Sequence, residues 1–528
     1  MTRSADLTIA MIAMEVMQMR RTLRFALGLF AIAVTSAWLP SLAGAAPEGQ
    51  IIIAQGADPT TLDPHMHAEN YTFAVVHNVF DHLVRRTVRD GQLAHEPGLA
   101  SSWTSVNPTT WEFKLRAGVK FHNGEELNAE AVKFSIERVL NPDQKARWRW
   151  AFADIERVEV VDPLTLRIVT KRPFPTLITN LAYAMPIVPP KHVREKGDAY
   201  VATHPVGSGP FKFVRWRKDD ELVLEANETY WGGAPKVKTL IWKPIPEEST
   251  RVAALIGGQV DVARGVPPSL VKQIDGNART RVAKVPSALN IHIVLDTLAE
   301  GPLRDVRVRQ AINYGVDKDA IIKSVLEGNG TALGGPLTPV MFGYDAQIKP
   351  YPYDPERAKR LLADAGQVPG LTLTLNSPNG RYIKDKEVAE AISGQLQKIG
   401  VKAPVVTHEW GGYVSKWPEG LSPMYMLGWA ATWDADGILY PLLRSGQRFA
   451  RWNNPDFDRL IETGRTTLDT AERRRIYSQA SRLAHDEAPW LFLWNGMDIY
   501  GVSKAVTDWE PTSDEATSTV MLRAVKKK

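Results

Sequence analysis

The stretch LTLTLNSPNGRYIKDKEVAEAISGQLQKIGVKAPVVT, Leu371 to Thr407, decides the fold class of this chain. It begins with LTLTLN, whose alternating apolar and polar residues predict a strand. Apolar residues then recur at helical spacing from Val388 to Ile399, and Gly400 is a stop signal for that helix. VKAPVVT predicts a second strand. One β-α-β unit of this kind predicts an α/β fold with parallel or mixed sheets.

The predicted secondary structure differs between the two halves of the chain. Helices and strands alternate from about residue 290 onward, whereas the first half is rich in strands, for example WEFKLRAGVKFHNG at Trp111 to Gly124. After about residue 490 the patterning returns to strand. We therefore predict a chain that leaves one lobe, builds a second and comes back. Two such crossovers make a hinge with a cleft between the lobes.

Composition excludes several classes of protein. The chain has 528 residues, 44% hydrophobic and 23% charged, which is globular composition in a chain too long for one core. Net charge is +5, the two signs are interspersed, and the final KKK reads as a solvated tail, so we expect no nucleic-acid partner. The chain has no cysteine, which excludes disulfides, thiolate metal sites and a lipid anchor on Cys.

The N-terminus has the features of a secretory signal peptide. Arg20, Arg21 and Arg24 form a positive region, and FALGLFAIAV, Phe25 to Val34, is an apolar run too short to span a bilayer comfortably. AGA, ending at Ala45, supplies the small residues that a signal peptidase needs. We expect cleavage after Ala45 and a mature protein outside the cytoplasm.

Two glycine-rich segments do not carry catalytic motifs. EGNGTALGG, Glu327 to Gly335, has the wrong spacing for a phosphate-binding loop and follows a helix rather than a strand. In GSG, residues 207–209, the glycines adjoin Ser208, whereas a nucleophile elbow has them two residues away. Both segments are interpreted as turns.

GWAATWDADG, Gly428 to Gly437, places two tryptophans and two aspartates within ten residues. Asp434 and Asp436 could form the acid/base pair of a glycoside hydrolase, which requires carboxylates that face each other across the scissile bond. Residues two apart on an extended segment instead point the same way, about 6.5–7 Å apart. A secreted hydrolase therefore stays a minor alternative.

A metal site is a second alternative. His65 and His67 form a His-x-His pair that could chelate nickel or zinc, although no third ligand is apparent beside them. Scattered histidines of this kind are commonly structural, and we predict no metal.

A small polar solute needs aromatic faces and a few charges in a closed, dry cleft. Trp429 and Trp433, flanked by Asp434 and Asp436, supply both. Burial of Trp429 in the core is the competing interpretation. Two unpaired carboxylates are costly to bury, so the segment is interpreted as a grip for a solute.

Several sequence blocks together resemble one family, the peptide/nickel class of extracytoplasmic solute-binding proteins of ABC importers. They stand in the order typical of that family and span nearly the whole mature chain: TLDPH (61–65), PGLASSW (97–103), TTWEFKLRAGVKFHNGEELNAEAVKFSIERVLNP (109–142), PVGSGPFKFVRW (205–216), VRQAINYGVDKDAI (308–321), GWAATWDADG (428–437) and EAPWLFLW (487–494).

The resemblance implies an α/β, two-lobe clamp like that of periplasmic binding proteins, with mixed sheets and two hinge crossovers. We expect lobe I at residues 46–286 with an extra subdomain at about 82–203, lobe II at 287–489, and a return to lobe I at 490–528. It also implies a monomeric periplasmic receptor, without cofactor or catalysis, that delivers its solute to a membrane permease and ATPase subunits. A short peptide or peptide-like solute is expected; an opine, an oligosaccharide, glutathione or a nickel chelate is the alternative.

The resemblance also implies ligand contacts. Peptide binders of this family often hold the free amine with an aspartate three residues after the tryptophan of the GW motif, where this chain has Thr432, so amine recognition by Asp434 or Asp436 is a hypothesis. Arg381 in NGRY resembles the arginine that meets a ligand carboxylate, as a bidentate donor. The full set of predicted ligand residues is His67, Asn70, Tyr71, Arg381, Tyr382, Trp429, Thr432, Trp433, Asp434, Asp436, Trp494 and Asn495.

Overall fold

The computed structural model describes residues 49–67, 69–89, 92–367, 370–430, 433–513 and 526–527. The predicted signal peptide, residues 1–45, lies outside these ranges. Within them, no helix is both long and apolar enough to cross a membrane.

Strands account for much of the first half of the chain and for its crossovers. In chain order they are β1 (Gln50–Gln55), β2 (Val84–Arg89), β3 (Gln92–Pro97), β4 (Ala100–Asn107), β5 (Thr110–Leu115), β6 (Ile155–Asp162), β7 (Thr165–Thr170), β8 (Phe211–Arg217), β9 (Glu221–Ala226), β10 (Thr239–Pro244), β11 (Val262–Arg264), β12 (Thr280–Leu295), β13 (Gly330–Ala332), β14 (Leu371–Thr372), β15 (Leu375–Pro378), β16 (Val401–Lys402), β17 (Val405–His408), β18 (Met424–Trp429), β19 (Trp490–Ser503), β20 (Val506–Thr507) and β21 (Lys526–Lys527).

Helices are short in the first half and longer in the second. They are α1 (Asn70–Val79), α2 (Ala129–Leu140), α3 (Leu177–Ala184), α4 (Pro190–Lys196), α5 (Asp198–Val201), α6 (Glu248–Ile256), α7 (Val271–Asp275), α8 (Val306–Gly315), α9 (Lys318–Ser324), α10 (Pro355–Asp364), α11 (Asp385–Lys398), α12 (Trp410–Lys416), α13 (Asp436–Leu443), α14 (Pro455–Gly464) and α15 (Thr470–Glu487).

Side-chain caps set the start of several helices where the sequence predicts them. The Asn128 carboxamide accepts a hydrogen bond from the backbone N–H of Ala131 at 3.1 Å and starts α2. Asp354 accepts from the N–H of Arg357 at 2.8 Å, with Pro355 in the first turn of α10. Each cap satisfies a backbone donor that the first helical turn leaves without a partner.

An 11-stranded mixed sheet forms the centre of the molecule. Its strand order is β17-β15-β18-β12-β19-β11-β1-β10-β9-β8, with β13 on the side of β19. A separate four-stranded antiparallel sheet, in the order β4-β5-β7-β6, lies within the range predicted for the extra subdomain. The limits of that subdomain stay a prediction.

The predicted β-α-β unit is confirmed. Strands β15 and β17 pair in parallel, with Leu375 opposite Val405, and α11 connects them. Each predicted strand is divided in two, and the division on the second strand falls at Pro404, which has no N–H to donate. Hydrogen bonds from Leu373 N to Lys402 O and from Leu375 N to Pro404 O, both 2.9 Å, keep the two segments together.

Two large hydrophobic cores confirm the two lobes. The first contains residues from Ile51 to Ala283 and then Tyr500 to Trp509, whereas the second contains residues from Ala288 to Trp494. The chain therefore changes core once within β12 and returns within β19. These strands are the two predicted crossovers, although the start of β19, at Trp490, still packs in the second core.

The two crossovers pair with each other along most of their length. The antiparallel register runs from Thr280 opposite Ser503 to Val294 opposite Trp490. It is interrupted between Pro286 and Asn290, at the point where β12 passes from one core to the other. An irregularity of this kind bends a strand and breaks its ladder locally, so the hinge is built into the pairing of the crossovers.

The GSG segment is a place of close backbone approach. A Cβ atom at Gly207 would lie 2.0 Å from the carbonyl oxygen of Val79, and one at Gly209 would lie 2.7 Å from that of Asn78. The N–H of Gly209 donates to Val79 O at 2.8 Å. The glycines therefore allow the start of β8 to pack against the end of α1.

Substitution Gly207→Ala should destabilise the protein by about 1–3 kcal/mol, because backbone must move to admit the methyl group. Gly394→Ala is the matched control: it lies within α11 with no atom within 4 Å of the added Cβ, and it should be neutral or stabilise by about 0.5–1 kcal/mol. Chemical denaturation of both variants measures the difference. Equal stabilities would contradict the close approach.

Candidate functional site

A cavity of about 350 Å³ lies beside the two crossovers. Ser287 and Leu289, at the irregularity in β12, line one side, and Gly496 and Met497 of β19 line another. Residues of both lobes complete the wall, so the cavity lies in the cleft that the sequence predicts. Four predicted ligand residues meet there, namely Tyr71, Arg381, Tyr382 and Trp494.

One carboxylate shapes the loop that carries Arg381. The buried side chain of Asp385, at the start of α11, accepts hydrogen bonds from the backbone N–H groups of Gly380 at 3.0 Å, Arg381 at 2.8 Å and Tyr382 at 3.0 Å. Three donors on one carboxylate fix the path of a short loop. Asp385 therefore determines where Arg381 enters the cavity.

Tyr382 joins this loop to the GW segment, Gly428 to Gly437. Its hydroxyl accepts from the N–H of Gly428 at 2.8 Å and lies 3.3 Å from Gly428 O. A Cβ at Gly428 would lie 2.5 Å from the Tyr382 ring and 2.7 Å from Ile291, so only glycine fits there. Burial raises the pKa of Tyr382 above its usual value, which keeps the hydroxyl protonated.

The Arg381 guanidinium is exposed and lies over two aromatic rings. Its Cζ atom is 5.2 Å from the ring centroid of Tyr382 and 5.1 Å from that of Trp410. Within the described parts of the chain, no carboxylate forms an ion pair with it. An aromatic-backed guanidinium at a cavity wall is a suitable partner for a ligand carboxylate.

The GW segment is partly integrated into the second core. Trp433 is buried, has a left-handed backbone with φ of 66°, and accepts at its carbonyl from Phe342 N at 2.8 Å. The Cζ atom of Arg86, in the first lobe, lies 5.2 Å from the centroid of the Trp433 ring. Trp429 is half-buried and donates its indole N–H to Gly437 O at 3.0 Å. Thr432 lies outside the described residues.

Asp434 is neutralised by an arginine. Its two oxygens accept from the terminal nitrogens of Arg473 at 2.6 and 2.7 Å, and both side chains are buried. Arg473 also donates to the Tyr477 hydroxyl at 3.1 Å. Burial acts to lower the pKa of Arg473, but Asp434 and Tyr477 outweigh it and hold that pKa above its usual value.

Asp436 is also paired. Its Oδ1 lies 3.2 Å from Nε of Arg465 and 3.5 Å from the Tyr477 hydroxyl. Burial raises the pKa of Asp436, and the attraction of Arg465 offsets this only in part. Because each aspartate already has its own arginine, this segment offers a ligand ammonium no uncommitted carboxylate among the described residues.

The three predicted ligand residues of the first lobe differ from one another in their surroundings. His67 is buried, packs edge-on against Phe73 with ring centroids 4.5 Å apart, and makes no hydrogen bond to a described residue. Burial lowers the pKa of His67 to about 3, so its ring is neutral. Asn70 is the first residue of α1, and Tyr71 follows it into the cavity wall.

The second-crossover residues lie on opposite faces of β19. Trp494 is buried and lines the cavity. Asn495 is buried and donates weakly, at 3.4 Å, to the carbonyl of Ser287, across the break in the β12 ladder. Asn495 therefore ties the crossovers together rather than lining the cavity.

Sequence patterns did not single out part of this cavity. Ser287, Leu289, Asn329, Met497 and Asp498 all line it. The one available signal is the interrupted strand pattern at Pro286, because a proline there cannot donate to a ladder.

The His-x-His pair has no described metal-binding neighbours. Nε2 of His65 lies 2.9 Å from Pro186 O, and Nδ1 lies 2.9 Å from Arg138, so both ring nitrogens are engaged. Among the residues that the structure describes, no group of three or more His, Asp or Glu side chains is placed to hold a metal ion.

Comparison with known proteins identifies the family. Residues 94–450 match the model of the bacterial extracellular solute-binding proteins, family 5. The chain is 32% identical over 495 residues to the glutathione-binding protein GsiB of Pectobacterium atrosepticum, an alignment that covers 91% of this chain and 94% of that one. The chain belongs to family 5 of the bacterial extracellular solute-binding proteins.

Solved structures of solute-binding proteins share the fold. The periplasmic binding protein DppA of Helicobacter pylori, in complex with the peptide STSA, matches with a TM-score of 0.79 and 27% identity over 91% of this chain and 98% of that one. AgaA of A. tumefaciens R10, in complex with agropinic acid, matches with a TM-score of 0.78 and 28% identity over 91% and 99%. The predicted family and the two-lobe α/β clamp are confirmed.

In this solute-binding protein, Arg473→Ala should lower the free energy of unfolding by about 3–5 kcal/mol, because it leaves Asp434 buried without its partner. Arg475→Ala, on the same helix but exposed and paired with Glu472, should change stability little. Urea denaturation of both variants tests the difference. A small loss for Arg473→Ala would show that Asp434 does not depend on this pair.

Proposed function

We propose that this solute-binding protein is the periplasmic substrate-binding component of an ABC importer and captures a small carboxylate-bearing solute, such as a short peptide or peptide-like compound. The observation that carries the proposal is Arg381, an aromatic-backed cation without a described carboxylate partner at the wall of a cavity between the lobes. Closure of the lobes around that cavity would exclude water and strengthen the contact.

Location and partners follow from the same proposal. The signal peptide would be removed after Ala45, and the chain has no cysteine for a lipid anchor, so the mature receptor would move freely in the periplasm. It would act as a monomer, deliver the unaltered solute to a permease with ATPase subunits, and catalyse no reaction. Membership of a family of solute-binding proteins supports this role.

The size of the cavity limits the solute. About 350 Å³ is near the lower end of the range for small-molecule pockets. A di- or tripeptide, or a compound of similar size, suits such a volume. Glutathione, peptides and agropinic acid, the ligands named for similar proteins, all carry carboxylates and so support a carboxylate-bearing solute over a neutral oligosaccharide.

The ion pairs of the GW segment narrow the class of solute that we propose. Asp434 and Asp436 are neutralised by Arg473 and Arg465. A free amine on the solute would therefore gain little from this segment, and a substituted amine would lose little. This favours peptide-like compounds with a blocked amine, and opines, over ligands that depend on a free ammonium.

A screen should use di- and tripeptides, glutathione and agropinic acid as probes in thermal-shift assays, followed by calorimetry on those that bind. For any probe that binds, Arg381→Ala should weaken affinity about 10- to 100-fold, the effect of one charged hydrogen-bonded contact. Lys384→Ala is the matched control, because Lys384 lines the same cavity but pairs with Glu387. Unchanged affinity in Arg381→Ala would overturn the carboxylate contact, and no binding by any probe would overturn the proposed solute class.

Chemical blocking of either end of a peptide probe measures how much the amine and the carboxylate each contribute to affinity. An N-acetylated dipeptide should bind within about threefold of the free dipeptide, whereas the C-terminal amide should lose about 10- to 100-fold, because Arg381 is the proposed partner of the carboxylate while Asp434 and Asp436 are already paired with arginines. Competition calorimetry measures the three affinities. Loss on acetylation would show that an acidic group recognises the amine.

A further inference from the structure

Six charged side chains form a continuous network between the lobes. Asp154 and Arg172 belong to the first lobe, at the two ends of the β6–β7 hairpin. The other four belong to the second lobe: Asp436, Arg444, Glu462 and Arg465. With three arginines and three carboxylates, the network is electrically balanced.

Each lobe contains complete pairs of its own. In the first, Arg172 donates to both oxygens of Asp154, at 3.0 and 3.1 Å. In the second, Arg444 lies 3.1 Å from Glu462, while Arg465 lies 3.2 Å from Asp436. Every member therefore keeps an oppositely charged partner even if the lobes separate.

Two further contacts cross between the lobes. Arg172 lies 3.4 Å from Glu462, and Arg465 lies 3.8 Å from Asp154. Arg172 and Glu462 are 36% and 37% exposed, so water and salt reach this pair, whereas Arg465 is only 12% exposed. Contacts of this kind are weak singly and more effective as a network.

The network continues into the GW segment. Asp436 is the first residue of α13 and lies two residues after the buried Asp434. Within the same segment, Trp433 faces Arg86 of the first lobe at 5.2 Å. This stretch of the second lobe thus contacts the first lobe directly through Trp433 and joins the network through the pair of Asp436 with Arg465, and neither contact involves Arg381.

We propose that this network is an electrostatic latch that shifts the lobes toward the closed arrangement, with Asp154, Arg172, Glu462 and Arg465 as positioning residues that act on affinity without touching the solute. Within the network, opening breaks only Arg172–Glu462 and Arg465–Asp154 and leaves every member with an oppositely charged partner, so the latch is readily reversible. Closing adds the two contacts again. Salt weakens them by screening.

The chain suits a direct test, because it has no native cysteine to compete for spin labels. We would label Glu130→Cys, on α2 of the first lobe, and Ala471→Cys, on α15 of the second, both at exposed positions. Pulsed electron–electron double resonance on the ligand-free chain then gives the distribution of distances between the two spin labels, and so between the lobes. The latch predicts a measurable closed population.

Raising salt from about 0.01 M to about 1 M, over which the screening length falls from about 30 Å to about 3 Å, should lower the ratio of closed to open molecules. Glu462→Gln at low salt should lower it about two- to fivefold, the range for one partly exposed pair. Glu472→Gln, which removes an ion pair within a single helix, is the control and should change nothing.

Unfolding midpoints identify any variant that fails to fold, and the salt series on the unsubstituted labelled chain needs no variant beyond the labels. A distance distribution that is independent of salt and of Glu462→Gln would overturn the latch. So would a ligand-free chain that shows only the open separation. Neither result would affect the assignment of Arg381 to the solute.

Discussion

The antiparallel pairing of β12 with β19 is the constraint on which the rest of the structure depends. Each strand contributes to both cores, so the lobes share one continuous sheet. The ladder is interrupted after Pro286, and the cavity opens at that interruption. A hinge made of two paired strands permits bending but opposes shear, because sliding would break the register of every remaining pair.

Several carboxylates close to the cleft already have partners. Asp434 and Asp436 each have an arginine, and Asp385 is saturated by backbone donors. Arg381 stands apart, since its contacts are aromatic rings. In a cleft that closes, the cost of burying such a cation falls when a ligand supplies the opposite charge. Under the proposed function, Arg381 would therefore favour an anionic group on the solute.

Local patterns were sufficient for much of the fold and insufficient for much of the site. The β-α-β unit and the caps at Asn128 and Asp354 depend on residues close in sequence, and the structure confirms them. The roles of Asp434 and Asp436 depend on arginines roughly thirty to forty positions away, which no local pattern indicates. Likewise, Ser287 and Met497 become neighbours only through the pairing of the crossovers.

The composition of the first core has a consequence for biosynthesis. Tyr500, Val502, Val506 and Trp509 pack against residues that lie more than two hundred positions earlier in the chain. A nascent polypeptide therefore cannot finish its first lobe until the last strand has left the ribosome. The need to form contacts between residues so far apart in sequence slows folding and keeps the nascent chain incompletely folded. For the export proposed above, that delay would give the secretion machinery time to engage the chain.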